Sequence, residues 1–333
     1  MRAALGDGGR MNPRVMITGG LGFLGSHLAD RYAQLGWDVV AVDNLTAPVV
    51  SVTHPTVRWM MIGDARALTA RNVATVDLVV HAASPVGAAG ILKLQGTIAG
   101  EIVHSTQKVV DACVAAGVPL INISTSEVYG ITGVASESDP CLIQPKHSAR
   151  MEYQAGKIAA EQVVGASIAR GLKAVQIRPW NMAGPREAID KGFVVPRMVS
   201  QALAGDPITV FEGGEQERAF TGVWDVCRFI TDHLPESDED WQGQPYNVGN
   251  PANQTTINEL ADIVREVTGS DSPIAHTSGK RVFGPRYEEA SAGTKLPDAD
   301  LALSLGWQPR NSLRDIVART AAEIISPEEA LAA

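Results

Sequence analysis

Short apolar strands alternate with longer helical patterns from Arg14 onward, and this alternation constrains the fold more than any other feature of the sequence. The strand-like runs VMIT, DVVAVD, VDLVVHAAS and PLINIST are nearly all apolar. Such runs are expected where helices cover both faces of a parallel sheet. Strands and helices in alternation form parallel βαβ units. The sequence therefore predicts an α/β fold with a doubly wound parallel sheet.

A glycine-rich turn, TGGLGFLG, follows the first strand and opens a helix, with Gly19, Gly22 and Gly25 in G-x-x-G-x-x-G spacing. Such glycines close the turn, let backbone amides approach a pyrophosphate and let the helix pack on the strand. Asp43 ends the next strand, where a carboxylate accepts hydrogen bonds from both ribose hydroxyls and repels a 2′-phosphate. The spacing predicts a Rossmann-type domain that binds NAD rather than NADP.

Further cofactor contacts are expected at other strand ends, because ligands bind at the carboxyl ends of parallel strands. Asp64 in MIGDAR is interpreted either as a contact to the adenine edge or as a cap of the strand end. The small residues of HAAS at 81–84 make room for the cofactor. The remaining residues predicted to bind NAD are Phe23, Leu24, Asn44, Ala65, Ala82, Ala83, Ser84, Ser124, Tyr153, Lys157 and Pro179.

The candidate reacting groups are Tyr153 and Lys157, which form Y-x-x-x-K on one face of a helical run. A lysine ammonium and the positive nicotinamide ring favour phenolate and lower a tyrosine pKa, so Tyr153 is the predicted general base. The segment ISTSEVYG ends the preceding strand, and a hydroxyl of Ser124, Thr125 or Ser126 can hydrogen-bond a substrate alcohol. Glu127 is interpreted as a second acid or base, with a capping or solvated carboxylate as the alternative.

The charge balance, 28 Lys plus Arg against 37 Asp plus Glu, has the wrong sign for a protein held to a phosphate backbone. The three cysteines are widely separated and lack metal-ligand spacing, which suits free thiols in a reducing compartment. No apolar run approaches the roughly 18 residues that a membrane span needs. The sequence therefore predicts a cytoplasmic protein without a metal, bound neither to nucleic acid nor to a membrane.

With these motifs and RPWNMAGP at 178–185, the chain resembles the extended short-chain dehydrogenase/reductase family of nucleotide-sugar epimerases, dehydratases and decarboxylases. The resemblance runs from Arg14 to about residue 320. The stretch from GPREAID to QERAF, then YNVGNPANQTTINELADIV and LGWQP, are most similar to the UDP-glucuronate decarboxylase (UDP-xylose synthase) branch. A 4,6-dehydratase is expected to carry Asp at Ser126, and a galactose-type 4-epimerase usually lacks an acid at Glu127. Both remain alternatives.

The resemblance implies a retained NAD and a nucleotide diphosphate sugar, with a UDP-sugar favoured. Asn181 and Arg218 are assigned to the diphosphate, and Arg286 or Lys295 to the phosphate or carboxylate end, since cationic side chains bind oxyanions. For Arg218 the alternative is a surface ion pair with a neighbouring glutamate. Lys295 stands where the decarboxylases carry Arg. The implied substrate contacts are Pro85, Thr125, Asn181, Val195, Arg218, Arg286 and Lys295.

The implied reaction is oxidation of the sugar at C4, with Tyr153 taking the hydroxyl proton and Thr125 orienting it, followed by loss of carbon dioxide from the β-keto acid. Glu127 is expected to assist the C5 steps. Without C5 chemistry the same groups make a 4-epimerase, and with loss of water a dehydratase. A non-catalytic NAD sensor is the hypothesis of a different class. Two departures concern the sugar: the decarboxylases carry a Tyr/Asn/Pro-containing loop where this chain has SPVGAAGILKLQG, and EIVHSTQ lacks their usual Asn.

Gly and Pro become frequent after RPWNMAGP, and the strands shorten. We therefore expect an NAD-binding domain at 12–180 and, at 181–333, mainly a smaller C-terminal substrate-binding lobe. Segments around 218–230 and 245–249 are expected to return to the sheet. Residues 1–11 are predicted to be a disordered leader. The resemblance implies a homodimer formed through the Tyr153 helix and the helix before it.

Overall fold

A computed structural model of the chain describes residues 12–51, 54–130, 133–235, 240–288 and 293–326. The leader predicted over residues 1–11 lies outside the described residues. Within the described ranges, no helix has both the length and the apolar character required to cross a membrane.

Seven of the described strands form a parallel sheet whose order matches a doubly wound fold. The strands, numbered in chain order, are β1 (Arg14–Thr18), β2 (Asp38–Asp43), β3 (Trp59–Ile62), β4 (Leu78–His81), β5 (Leu120–Ile123), β6 (Gly133–Ala135), β7 (Ala174–Pro179), β8 (Met182–Ala183), β9 (Ile208–Phe211), β10 (Glu217–Ala219), β11 (Thr221–Gly222), β12 (Gln242–Val248), β13 (Gln254–Thr256), β14 (Ile274–Thr277) and β15 (Lys295–Pro297). The order of the sheet is β3-β2-β1-β4-β5-β7-β12. The four apolar runs of the sequence become β1, β2, β4 and β5, which confirms the predicted α/β fold.

Helices cover both faces of this sheet, which explains why β1, β2, β4 and β5 are nearly all apolar. The helices are α1 (Phe23–Gln34), α2 (Ala70–Val73), α3 (Ile98–Ala116), α4 (Ala149–Ser167), α5 (Val194–Ala204), α6 (Val223–Arg228), α7 (Ile257–Thr268), α8 (Gly279–Phe283), α9 (Asp300–Ser304) and α10 (Leu313–Ile325). One face packs on α1 and α6, and the other on α2, α3 and α4. Helix α4 begins after Ser148, whose hydroxyl accepts a hydrogen bond from the Met151 amide.

The C-terminal residues form a second core in which α5, α7 and α10 pack against β9. The sheet of order β13-β10-β15-β6 joins this part of the chain to β6, whereas β8-β11 and β9-β14 are two-stranded sheets formed after residue 180. Of the segments expected to return to the main sheet, residues 245–248 lie in β12, which pairs with β7. Helix α6 packs against α1, whereas β10 and β11 belong to the smaller sheets.

Candidate active site

The glycine turn forms a close-packed cradle at the start of α1. Gly19 has a φ of +68°, and a Cβ there would lie 2.9 Å from the backbone of Ala83 at the end of β4. A Cβ on Gly25 would collide with the carbonyl oxygen of Gly19. Gly22, just before α1, carries no side chain that could cap the helix. The backbone and the positive end of α1 therefore remain available to an anion such as a pyrophosphate.

Asp43 lies beside this cradle at the end of β2 and is 8 % exposed. Its Oδ2 accepts a hydrogen bond from the Leu21 amide at 3.1 Å, and its Oδ1 accepts from the Leu45 amide at 2.9 Å. Each carboxylate oxygen has a further lone pair for a ribose hydroxyl. The turn and Asp43 thus fit the two parts of NAD that the sequence assigns to them.

Asp64 and Asn44 make local contacts. Asp64 caps the 3₁₀ helix Ala65–Ala67 and pairs with Arg66 at 2.7 Å. The hydrogen bond from Arg66 lowers the pKa of Asp64. Asn44 accepts hydrogen bonds from the amide and hydroxyl of Thr46. The contacts of Asp64 correspond to the capping alternative, and an adenine contact remains a prediction.

Polar groups join the ends of β1 and β4 at the switch point, where the strand order reverses. The Thr18 hydroxyl lies 2.8 Å from His81 Nδ1 and accepts from the Ala83 amide at 3.2 Å. Burial, helped by the charge of Lys157, lowers the pKa of His81 to about 3, so its imidazole is neutral. Together these contacts fix the Ala82–Ala83 segment against the glycine turn.

The predicted reacting groups meet where α4 passes the end of β5. Lys157 Nζ donates to the Ile123 carbonyl at 2.9 Å and lies 5.9 Å from the centre of the Tyr153 ring. Burial raises the pKa of Tyr153, and the charge of Glu127 adds to this rise, whereas a hydrogen bond with Thr125 opposes it. Burial also lowers the pKa of Lys157 to about 8. The positive charge of Lys157 is therefore close enough to favour the phenolate of Tyr153.

Glu127 lies between two cations, Lys295 and Arg150. Its Oε1 lies 2.9 Å from Lys295 Nζ, and its Oε2 lies 3.1 Å from Arg150 Nη1. Burial alone would raise the pKa of Glu127, but the charges of Lys295 and Arg150 outweigh it and lower the pKa to about 2. At neutral pH Glu127 is a carboxylate without a proton to donate.

Arg218 joins this group through the register of the small sheet, where it stands opposite Lys295 on the neighbouring parallel strand. Its side chain is buried and donates to the Gly293 carbonyl at 2.7 Å. The charge of Arg218 also acts on Glu127. We call Arg150, Arg218, Lys295 and Glu127 the cation cluster; among the described residues it comprises three cations and one carboxylate.

The other predicted substrate residues are more dispersed. Arg286 is exposed and lines a shallow cleft together with Arg150 and Glu288. Asn181 donates to the Ala219 carbonyl at 3.0 Å. Val195 is buried in the core formed by α5, α7 and α10. The structure brings Arg286 toward the cation cluster and leaves the side chains of Asn181 and Val195 in structural contacts.

The small residues of SPVGAAGILKLQG allow this loop to pack closely against the chain near Lys191. The Ala89 amide donates to the Lys191 carbonyl at 3.0 Å, and a Cβ on Gly87 would lie 2.5 Å from the same oxygen. Ser84 donates to the carbonyl of Pro85 at 3.2 Å. The loop therefore lies directly against the 3₁₀ helix Ile189–Lys191, an approach that larger side chains would block.

Sequence reasoning missed two residues of the site, Arg150 and Glu161, both on α4. Arg150 precedes Tyr153 by three positions and Glu161 follows Lys157 by four, so all four residues share one helix face. This spacing was a usable signal. Ser126 is buried beside Thr125, and Pro179 is buried at the end of β7.

Comparison with known proteins gives a consistent result. The model of the NAD dependent epimerase/dehydratase family matches residues 15–249. The chain is 29 % identical to UDP-N-acetyl-alpha-D-glucosaminuronate decarboxylase of Bacillus cytotoxicus, over 84 % of this chain and 88 % of that protein. It is 33 % identical to UDP-glucuronic acid decarboxylase 2 of Arabidopsis thaliana, over 92 % of this chain and 66 % of that protein. Among solved structures it is similar to MoeE5 in complex with UDP-glucuronic acid and NAD, with 28 % identity, a TM-score of 0.77, and coverage of 94 % and 99 % of the two chains.

Proposed function

The chain belongs to the NAD dependent epimerase/dehydratase family, and from this premise we propose that it removes the C6 carboxylate of a UDP-glucuronate-like sugar through a 4-keto intermediate. Membership confirms the predicted family, the enzyme class and NAD as cofactor. The observation that favours decarboxylation over epimerisation or dehydration is the cation cluster beside Tyr153.

NAD, when bound, supplies a hydride acceptor that later returns the hydride. The glycine cradle would hold its pyrophosphate, and Asp43 would hold its adenosine ribose. A Cβ at Gly19 would collide with the Ala83 backbone and one at Gly25 with the Gly19 carbonyl oxygen, so the two glycines let the cradle close. These residues bind and orient the cofactor, and they take no proton in the reaction.

Tyr153 accepts the proton of the sugar 4-hydroxyl, and Thr125 orients that hydroxyl through its own hydrogen bond. Lys157 acts through its charge, because its ammonium stabilises the phenolate form of Tyr153, which burial disfavours. Because Lys157 is fixed to the Ile123 carbonyl, its charge stays at a constant position during the cycle.

The cation cluster supports the assignment of an anionic sugar. Among the described residues, three cations lie around the carboxylate of Glu127. Glu288, which also acts on Arg150, lies 3.5 Å from Lys146 and accepts a hydrogen bond from Ser148. A C6 carboxylate would be attracted by this group of cations, whereas a neutral hexose would gain no such attraction.

Oxidation at C4 turns the C6 carboxylate into the carboxylate of a β-keto acid. The C5–C6 bond then breaks, carbon dioxide leaves, and the electron pair delocalises onto the C4 oxygen as an enolate. Protonation at C5 restores the ketone. Since Glu127 is ionised, we assign it to holding Lys295 and Arg150 in place rather than to donating this proton.

Mass spectrometry of the protein, purified with NAD and incubated with UDP-glucuronate, tests the proposal. We expect a product lighter by one molecule of carbon dioxide. Loss of water would identify a dehydratase, and an isomer of unchanged mass an epimerase. If neither UDP-glucuronate nor a panel of nucleotide sugars is turned over, the sensor hypothesis replaces the enzyme proposal.

The resemblance also supports a homodimer formed through α3 and α4, and the cysteine content supports a cytoplasmic location. Sedimentation equilibrium should give twice the chain mass of 35.2 kDa. A single-chain mass at micromolar concentration would contradict the dimer.

A further inference from the structure

A second buried cluster lies behind Tyr153, on the same face of α4. Glu161 follows Lys157 by one helical turn, and its side chain is 5 % exposed. Arg178 on β7, equally buried, donates to both of its carboxylate oxygens, from Nε at 2.9 Å and from Nη2 at 2.6 Å. The Ser124 hydroxyl donates to the same carboxylate at 2.5 Å. Ser124 was predicted to bind the cofactor, but in the structure its hydroxyl serves this buried carboxylate.

Two side chains of helix α4 therefore form hydrogen bonds with the end of β5. Lys157 binds the carbonyl of Ile123, and Glu161 binds the hydroxyl of the next residue, Ser124. Thr125, which contacts the predicted base, follows immediately in the chain. The two contacts fix the position of Thr125 relative to Tyr153.

Glu161 is itself held rigidly, because Arg178 has a third anchor. Arg178 Nη1 donates to the Tyr129 hydroxyl at 2.8 Å, and that hydroxyl donates to Asn247 Oδ1 at 2.8 Å. Asn247 also accepts from the indole of Trp180 at 3.0 Å. The network crosses from α4 through the sheet, so the charge of Glu161 cannot swing away from Lys157 without breaking it.

The groups near Lys157 differ in their effect on its pKa. Burial lowers the pKa of Lys157, and the charge of Glu161 opposes that effect. Tyr153 lies on the same helix, and His81, at the end of β4, is neutral. Arg178 is the cation next to Glu161. Glu161 is thus the anion that favours the ammonium form of Lys157.

We propose that Glu161 is a positioning residue for the reaction, which keeps Lys157 in its ammonium form and holds the Ser124–Thr125 strand end against Tyr153. The proposal rests on the role of Tyr153 as base in the proposed function. Its first test does not use a substrate, so it can fail independently of that function.

The test follows the titration of Lys157 by NMR in the full chain labelled with ¹³Cε-lysine, with the resonance assigned by its loss in Lys157→Met. In the parent we expect a pKa of about 8. In Glu161→Gln we expect it to fall by about one pH unit, as for loss of a neighbouring opposite charge. In Ser124→Ala, which removes the strand contact but no charge, it should stay at the parent value. An unchanged pKa in Glu161→Gln would overturn the proposal.

A pH–rate profile on the converted nucleotide sugar provides the second readout. The rate defect of Glu161→Gln should be largest in the interval between the two Lys157 pKa values, since outside it both enzymes carry the same lysine charge and only the strand-end contact differs. A defect of equal size at every pH would show that Glu161 does not act through the charge of Lys157 and would overturn the proposal. If Glu161→Gln does not fold, Glu161→Gln with Arg178→Met removes both buried charges. The Lys157 pKa should then still fall, but by less than in the single variant because a nearby cation is lost as well, and an unchanged pKa would overturn the proposal.

Discussion

Replacing Lys295 by Met should weaken binding of a carboxylated sugar nucleotide far more than binding of a neutral one. The side chain of Lys295 is 8 % exposed and already forms a 2.9 Å ion pair with Glu127, so its charge acts with little screening by water. Met keeps most of the buried stem and removes only the charge. Isothermal titration calorimetry with UDP-glucuronate and UDP-glucose, which differ at C6, measures the two affinities on NAD-loaded protein carrying Tyr153→Phe, so that the proposed base is absent and the ligand is not consumed.

The magnitude follows from the local electrostatics. Two unit charges 4 Å apart interact by about 4 kcal/mol at an effective dielectric constant of 20, before the cost of desolvation. A hydrogen bond to a charged group contributes roughly 1.5–3 kcal/mol net. Glu127 shares the same ammonium, which favours the lower part of this range. We therefore expect UDP-glucuronate to bind roughly ten- to a hundredfold more weakly, at about 1.4 kcal/mol for each factor of ten.

Lys295→Arg is the matched control, because it keeps the charge and restores the residue type that the resembling decarboxylases carry. It should retain the preference for UDP-glucuronate within a few-fold. An equal loss of affinity for both ligands in Lys295→Met would refute the reasoning, since it would show that Lys295 supports the site without binding the C6 carboxylate.

Three further predictions address the cluster, the turn and the cofactor. The pKa of Glu127 lies at about 2 in the folded chain against an ordinary 4.5, so the stability it contributes is complete above about pH 4.5 and is lost as the pH falls toward 2. Thermal unfolding should show the parent more stable than Glu127→Gln at neutral pH, with a difference in stability that disappears over this range. A difference that stays constant with pH would contradict the ion pairs. Gly25→Ala should destabilise the fold by about 1–3 kcal/mol because its Cβ collides with Gly19, whereas Gly165→Ala, whose Cβ meets no atom, should stabilise it by about 0.5–1 kcal/mol. Chemical denaturation measures both changes, and equal effects would contradict the close packing of the glycine turn. Asp43→Asn should reduce the NAD retained on purification by about tenfold or more, measured by absorbance of the released cofactor, and undiminished NAD would remove Asp43 from the ribose site.

The features that the sequence predicts correctly are those set by local pattern. Continuous apolar runs identify buried parallel strands, and the glycine turn at 18–25 joins the strand and helix that it predicts. The Tyr153 and Lys157 spacing requires only a helix to place both side chains on one face. None of these inferences depends on residues distant in the chain.

Contacts between distant residues could not be read in this way. Lys295 meets Glu127 across 168 positions, through the pairing of β15 with β10 and β6. Neighbouring hydroxyls at a strand end were equally ambiguous, because successive side chains point to opposite sides. The structure directs Ser124 to Glu161 and Thr125 to Tyr153. Glu127 looked like an available acid only because its two cationic partners were unknown.

Helix α4 carries Arg150, Tyr153, Lys157 and Glu161 along one face, so a single rigid element sets the order of cation, base, cation and anion. Changes that alter the sugar without disturbing the oxidation must therefore come from elements that meet α4 from elsewhere. Departures from the resembling decarboxylases lie on such elements, among them EIVHSTQ on α3, which packs against α4. Lys295 lies on β15, and the small-residue loop lies against Ile189–Lys191. Apart from Arg150, the residues proposed to select the sugar substituent lie outside α4, so we infer that they can change while the chemistry at C4 is kept.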